Sequence, residues 1–349
     1  MNPMLSAEAA TRIDIEPVAA RARDFLLAGQ DARGAWRDFF LPAGESDGWV
    51  TAYVALALAK AGDPEGWAAA LRGWSHLEAA VKPEGGWGYN AATPVDADST
   101  LWALRLAEAL GVTASDAARR GLAVLETHRR RDGGLATYAS PAGPRGYVGL
   151  PASVDFSAWA LPHACVSAAA AALSGMRDDP LATWLGAMQA EDGHWPSYWW
   201  FDPGYATAEA VEALPPGAAR DRAARFAEAR LQVLAMMAPP PAFALSHVVR
   251  VLAVARSSML ETAVALLAAT QAENGSWPAS ARLRVPAPDC VTPSDAAAWT
   301  PWHGLRALPM TLEAVLAATF QITSLDHRRA FTTATALRAL TAASAASRP

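Results

Sequence analysis

Gln30-Asp31-Ala32-Arg33-Gly34-Ala35-Trp36, Gln189-Ala190-Glu191-Asp192-Gly193-His194-Trp195 and Gln271-Ala272-Glu273-Asn274-Gly275-Ser276-Trp277 are one phrase written three times. Glutamine stands six residues before tryptophan in each, and glycine two before it. Self-similarity at intervals of tens of residues marks stacked supersecondary units, none of which can bury its apolar face alone. Weaker copies fill the gaps: Lys82 to Trp87 keeps the glycine and the tryptophan, and Arg131 to Leu135 keeps the turn and loses the tryptophan.

After each turn comes a connection and then a helical stretch rich in small residues, opening on Thr51, Thr100, Ser167, Thr207, Ser246 or Thr333. The segments before the turns, such as Asp116–Thr127, 180–190 and 257–270, have the mixed composition of helices that face water on one side. Six helices of each kind predict an all-α fold, a single (α/α)6 toroid of two concentric layers around one core. The barrel domain is expected over 17–345, with tails at 1–16 and 346–349. An insertion at about 278–330, proline-bearing between Pro286 and Pro301, predicts an irregular flap. In this frame the repeated Gln and Trp are mechanical: glycine permits the tight turn, the amide bonds helix ends and the indole packs on a neighbouring unit.

Apolar residues make up 52% of the 349, enough for a large core, and a net charge of -5 argues against nucleic acid, which needs a concentrated basic face. Arg129-Arg130-Arg131 reads as a solvated turn. Two cysteines make no disulfide framework, so the expected setting is reduced and cytoplasmic. No signal peptide is read in the first 17 residues, and no apolar run is long enough to span a membrane, which leaves peripheral contact open. Neither Gly-x-Ser-x-Gly, His-Glu-x-x-His nor a nucleotide loop is present.

The repeated phrase resembles that of the terpenoid cyclase and prenyltransferase superfamily over roughly residues 20–345. It is closest in kind to the barrel of squalene-hopene-type (class II) cyclases and to small bacterial prenyltransferase/squalene oxidase repeat proteins. The larger squalene cyclases carry two such barrels, and this chain has room for one. The resemblance implies a cavity rimmed by the N-terminal ends of the inner helices. Aligning the helix-opening Thr or Ser places Trp49, Asp98, Cys165, Tyr205, Ala244 and Phe331 two residues before it, on that rim.

Pro94-Val95-Asp96-Ala97-Asp98-Ser99-Thr100 resembles the family's Asp-x-Asp-Asp motif, with Ser99 in the last place. The resemblance implies that Asp98 protonates an alkene or epoxide, assisted by Asp96, and that rings then close along the cavity. That chemistry needs a carboxyl kept protonated in a dry pocket and aromatic faces for the moving cation. Trp49, Trp102, Tyr198, Trp199, Trp200, Tyr205 and Phe331 are the wall candidates, with Cys165, Glu209 and His247 as further contacts. The squalene cyclases place a histidine two residues after the Thr of the third inner helix; here that position is Ala169, and His163 and His247 are the histidines at hand. Competing structural roles are an N-cap for Asp98, rim packing for the aromatic run Trp195 to Tyr205, and an outward direction for Glu209 and Glu212.

Asp178-Asp179-Pro180 stops short of an Asp-Asp-x-x-Asp run for magnesium-bound diphosphate, and Asp289, Cys290 and His303 lack the spacing of a zinc prenyltransferase site. The function expected is a cofactor-independent class II cyclase or isomerase acting on an apolar, isoprenoid-like substrate. The alternatives are a non-catalytic barrel that binds a hydrophobic ligand or a partner protein, and a carbohydrate-active α/α barrel.

Overall fold

A computed structural model describes residues 13–302 and 320–348. The inner helices are α2 (Gly48–Ala61), α4 (Ala97–Leu110), α7 (Ala164–Ala170), α9 (Gly204–Ala213), α11 (Ala242–Ala255) and α13 (Ala330–Ala346). Each packs on the next, and α13 returns to α2, so the ring closes. The outer helices are α1 (Ile15–Ala28), α3 (Pro64–Ala79), α5 (Asp116–Thr127), α8 (Asp179–Met188), α10 (Ala218–Leu234) and α12 (Leu260–Ala269). The expected toroid is the observed one.

Composition separates the two layers. In α2 every residue from Gly48 to Ala59 is buried, as a helix that is apolar all round must be. In α5 only Ala117, Ala118, Gly121 and Leu125 are buried, one stripe against the inner layer. Three outer helices, α3, α5 and α8, start on strong caps: Asp63, Ser115 and Asp178 accept the N–H of Gly66, Ala118 and Leu181.

The repeated phrase is a clamp between units. Gln30 Nε2 donates to the Gly34 and Ala69 carbonyls, both at 2.9 Å. Gln189 does the same to Gly193 and Ala219, and Gln271 to Gly275 and Val18. Each amide oxygen accepts from an arginine of the neighbouring outer helix, Arg72, Arg222 or Arg21. The indole N–H of Trp36, Trp87, Trp195 and Trp277 donates to the carbonyl ten residues earlier. The glycine sits at positive φ against the next outer helix; a Cβ on Gly193 would collide with the Arg222 carbonyl.

The insertion is more regular than expected. β3 (Arg282–Val285) runs antiparallel to β5 (Ile322–Leu325), which pairs in parallel with β4 (Thr300–Pro301). Its β-branched residues suit a half-buried pleat. A hairpin of β1 (Asp38–Leu41) and β2 (Gly44–Ser46) lies beside it, with the Phe40 N–H donating to Ser324 Oγ on β5 at 3.1 Å. A second unforeseen element is α6 (Ala142–Val148), in the connection leading to α7. Of the expected solvated turn only Arg131 is exposed; Arg129 and Arg130 are half-buried, Arg129 pairing with Glu126 and Asp178 and Arg130 donating to the Tyr138, Ala139 and Ala160 carbonyls, which ties together the ends of that connection.

Candidate active site

One hydroxyl sets the register of five of the six inner helices. Thr51 Oγ1 accepts the Trp36 N–H at 2.9 Å, Thr100 the Trp87 N–H at 3.0 Å, and Thr207 the Trp195 N–H at 3.0 Å. Ser167 and Thr333 do likewise for Leu135 and Trp277. The fifth unit corrects the sequence alignment. Ser246 Oγ donates back to the Ala242 carbonyl, and the residue in register is Leu245, the fourth of its helix like the others. The rim position of α11 is therefore Phe243, and Ala244 does not belong there.

With that correction the inner helices present three rings along the axis, at the i, i+4, i+7 spacing of one helical face. The mouth ring holds Trp49, Asp98, Cys165, Tyr205, Phe243 and Phe331; the second holds Tyr53, Trp102, Ala169, Glu209, His247 and Thr335; the third holds Arg105, Glu212, Arg250 and Arg338.

Asp98 is set apart from the other acids by what it lacks. Asp96, not Asp98, is the N-cap of α4: it accepts the Ser99 N–H at 2.7 Å and the Ser99 O–H at 2.8 Å. Asp98, in the first turn, keeps Oδ1 buried without a partner while the residue lines a cavity. Burial pushes its carboxyl well above the usual range, the Asp96 charge adds to this, and Trp102 and Arg105 oppose it. Burial also lifts Asp96, to about 6, against the bonds from Ser99. Two carboxyls two residues apart thus sit in opposite roles, a capped one that ionises near neutrality and a bare one that keeps its proton.

The cavity, about 400 Å³, opens at the mouth above Asp98, within the size range of small-molecule sites. Its walls are aromatic: Trp49, Tyr89, Tyr138, Tyr147, Trp159 and Trp199. Leu41, Pro42 and Ala43 at the hairpin tip, Leu283 and Val285 of β3 and Ile322 of β5 close the rim. Arg284 is the cation among the described lining residues, and its guanidinium is engaged by the Ser197 and Tyr198 carbonyls and Asp295.

Of the residues expected at the site, Asp96, Asp98, Trp49 and Trp199 meet at this cavity. The rest of the expected wall packs beneath or beside it, because the aromatic rings fill the axis themselves. Phe331 stacks on Tyr53 at 3.9 Å between centroids, Trp200 lies 5.2 Å from Phe331 and 5.1 Å from Tyr205, and the Trp102 N–H donates to Tyr205 Oη. Tyr198 stacks on His163 at 3.8 Å and donates to the Cys290 carbonyl. Cys165 is buried and its thiol is pushed up to about 11.

Glu209 faces the axis, fully buried and not among the residues that line the cavity. Burial would raise it, but Arg105 at 2.6 Å, Arg250 at 2.8 Å and Arg338 at 2.9 Å hold it well below the usual range. Neither histidine partners Asp98. His163 Nδ1 accepts from Thr137 Oγ1, its Nε2 donates to the Ala158 carbonyl, and burial holds it neutral, down to about 3. His247 faces Arg250 and is held neutral by burial and that charge.

Sequence reasoning missed Tyr138, Tyr147 and Trp159, which arrive on the long connection after Gly134, and Arg284 on β3. The aromatic density of that connection was the available signal. No group of three or more His, Cys, Asp or Glu able to hold a metal occurs among the described residues; His303 lies outside them.

No protein-family model matches the sequence, and no curated protein does. Solved structures do. The type II terpene cyclase MstE from Scytonema superposes with a TM-score of 0.85 at 32% identity, over 95% of this chain and 99% of its own. MstE has also been solved with geranylgeranyl dihydroxybenzoate as substrate and with merosterolic acid A as product. A protein from Actinoplanes matches at 34% identity and a TM-score of 0.86, over 95% of this chain and all of its own. An ent-copalyl diphosphate synthase from Streptomyces platensis shares the fold, at 20% identity and a TM-score of 0.55 over 85% of this chain and 50% of its own. With MstE alike over nearly the full length of both chains, and a lone bare aspartate under an aromatic vault, this chain belongs to the type II terpene cyclases.

Proposed function

We propose that the protein cyclises a linear prenyl chain joined to an aromatic head group, with Asp98 as the proton donor. The observation that carries this is the Asp98 carboxyl: protonated by its burial, free of the capping role, and open to an aromatic cavity. The proton adds to one carbon of the terminal alkene, whose π pair forms the new C–H bond. The neighbouring carbon becomes a cation, the next alkene attacks it, and a C–C bond closes the ring. A water molecule takes a proton from the last cation, so substrate and product are isomers, and the hydronium so formed returns a proton to the Asp98 carboxylate.

Trp49, Tyr89, Trp159 and Trp199 present π faces to the cation. Trp102, Trp200, Tyr205 and Phe331 set the depth of the cavity from below. Asp96, tied to Ser99, adds the negative charge that keeps Asp98 protonated. The choice of an aryl-prenyl substrate follows the likeness to MstE. We read residues 17–345 as one barrel domain. A cytoplasmic setting accords with two free cysteines, and cell fractionation checks it.

The test is Asp98→Asn, incubated with geranylgeranyl dihydroxybenzoate and compared with the wild type. Removing a general acid costs about 10²–10⁴-fold in turnover. Equal turnover would sink the assignment.

A further inference from the structure

An acid that protonates an alkene must leave behind a carboxylate that its surroundings stabilise. Asp98 Oδ1 has no hydrogen-bond partner, and the Ser99 N–H that could serve it is taken by Asp96. The Trp102 indole and Arg105 are the groups that favour its carboxylate, and Arg105 acts through the field of fixed charge, which reaches further in a dry interior.

The third ring is that charge. Arg105, Arg250 and Arg338 surround Glu209 and Glu212, which leaves one positive charge in excess among buried side chains. Arg105 is the member on Asp98's own helix. It lies seven residues on and so shares its face, and its side chain leans toward the helix N-terminus as long helical side chains do. Trp102, four residues after Asp98, fills the space between. Its ring carries the Arg105 guanidinium 4.1 Å from the centroid, and that of Arg338 at 5.0 Å. Trp102 and Arg105 both act on the Asp98 carboxyl.

We propose that Arg105 is a positioning residue for the reaction, supplying through the Trp102 layer the positive charge that stabilises the Asp98 carboxylate once its proton has gone. This rests on Asp98 being the acid. The other groups around Asp98 do not compete for that role. Tyr205 on α9 and Cys165 on α7 are held protonated by burial, Tyr53 on α2 donates to Thr335, and Asp96 and Glu209 are negative and act in the opposite sense.

The test compares Arg105→Met and Arg105→Lys with the wild type, with geranylgeranyl dihydroxybenzoate as the kinetic probe. Glu209 keeps Arg250 and Arg338 in both variants, so no buried charge is left unpaired. In Arg105→Met, kcat falls at least about tenfold with KM within about twofold, and the alkaline limb of kcat moves up by about one pH unit, because a less stabilised carboxylate is a weaker acid. Arg105→Lys returns both toward wild type. The infrared carbonyl band of protonated Asp98, assigned by its loss in Asp98→Asn, shifts its titration in the same direction without any substrate. A lowered plateau with limb and band unmoved marks a merely structural role and overturns the proposal. Should Arg105→Met not fold, Arg105→Gln removes the same charge and leaves a polar side chain of similar length, and a band titrating as in wild type there overturns it equally. Full turnover in Asp98→Asn instead sinks the acid, and this role with it.

Discussion

Asp96 accepts both the N–H and the O–H of Ser99, while Asp98 on the same turn keeps Oδ1 bare. The spacing alone marked both acids, but which one capped the helix depended on which carboxyl turned back over the first N–H groups. Asp96→Asn separates their duties, since asparagine caps a helix as well as aspartate does. Its removal takes away the negative charge next to Asp98, so the alkaline limb of kcat moves to lower pH, opposite to the Arg105→Met shift. Stability gives a second readout. The folded protein holds Asp96 at about 6 against an ordinary 3.8, so folding takes up a proton between those values. That contribution is complete below the lower value and is lost as pH rises through the upper one. Asp96→Asn is free of this loss, and its stability relative to wild type rises by about 2 kcal/mol between pH 4 and pH 7. Urea unfolding at the two pH values measures the difference, and an unchanged gap rules the account out.

The turn element explains why so much of the fold was legible. Gln, Gly and Trp each act within their own turn and on the adjacent helix, so local sequence carries the whole clamp. The fifth unit shows the limit: Ala238 to Pro241 replaces the phrase there, its clamp is gone, and the sequence register slipped by one residue, putting Ala244 where Phe243 stands. The third ring was missed as well: Arg105, Glu212 and Arg338 already shared one register, and the slip removed only Arg250 from it. Two glycines of one unit test the clamp. Gly193 has φ 100° and backs onto the Arg222 carbonyl, whereas Gly186 lies within α8 with open space around its missing Cβ. Gly193→Ala is expected to cost about 3 kcal/mol or more, from strain and collision together. Gly186→Ala is expected to gain about 0.5–1 kcal/mol, the ordinary difference in helix propensity. Thermal melts of the pair decide: equal effects would mean that the turn glycine is no tighter than a helix surface.

Across the whole molecule, what could not be read was whatever the ring brings together from afar. Tyr138, Trp159, Arg284 and Ile322 reach one cavity from segments with no shared period, and nothing local says that they meet. Closure itself is such a contact. Gln271 on the last repeated turn donates to the Val18 carbonyl of α1 and accepts from Arg21, across about 250 residues of chain, whereas Gln30 makes the same bonds to Ala69 and Arg72 only about 40 residues on. The chemistry is matched, and each amide is worth about 2 kcal/mol by its hydrogen bonds. The order of formation differs. Joining the ends costs loop entropy that only a nearly complete ring repays, so the Gln271 clamp forms after the rate-limiting step while the Gln30 clamp forms within it. Gln271→Ala should then place its whole cost in unfolding, about 30-fold in rate, and Gln30→Ala only part of it. Unfolding rates in concentrated denaturant, followed by the emission of the buried tryptophans, compare the two directly. If Gln30→Ala speeds unfolding as much as Gln271→Ala does, closure is not the last event, and the barrel must assemble from both ends at once.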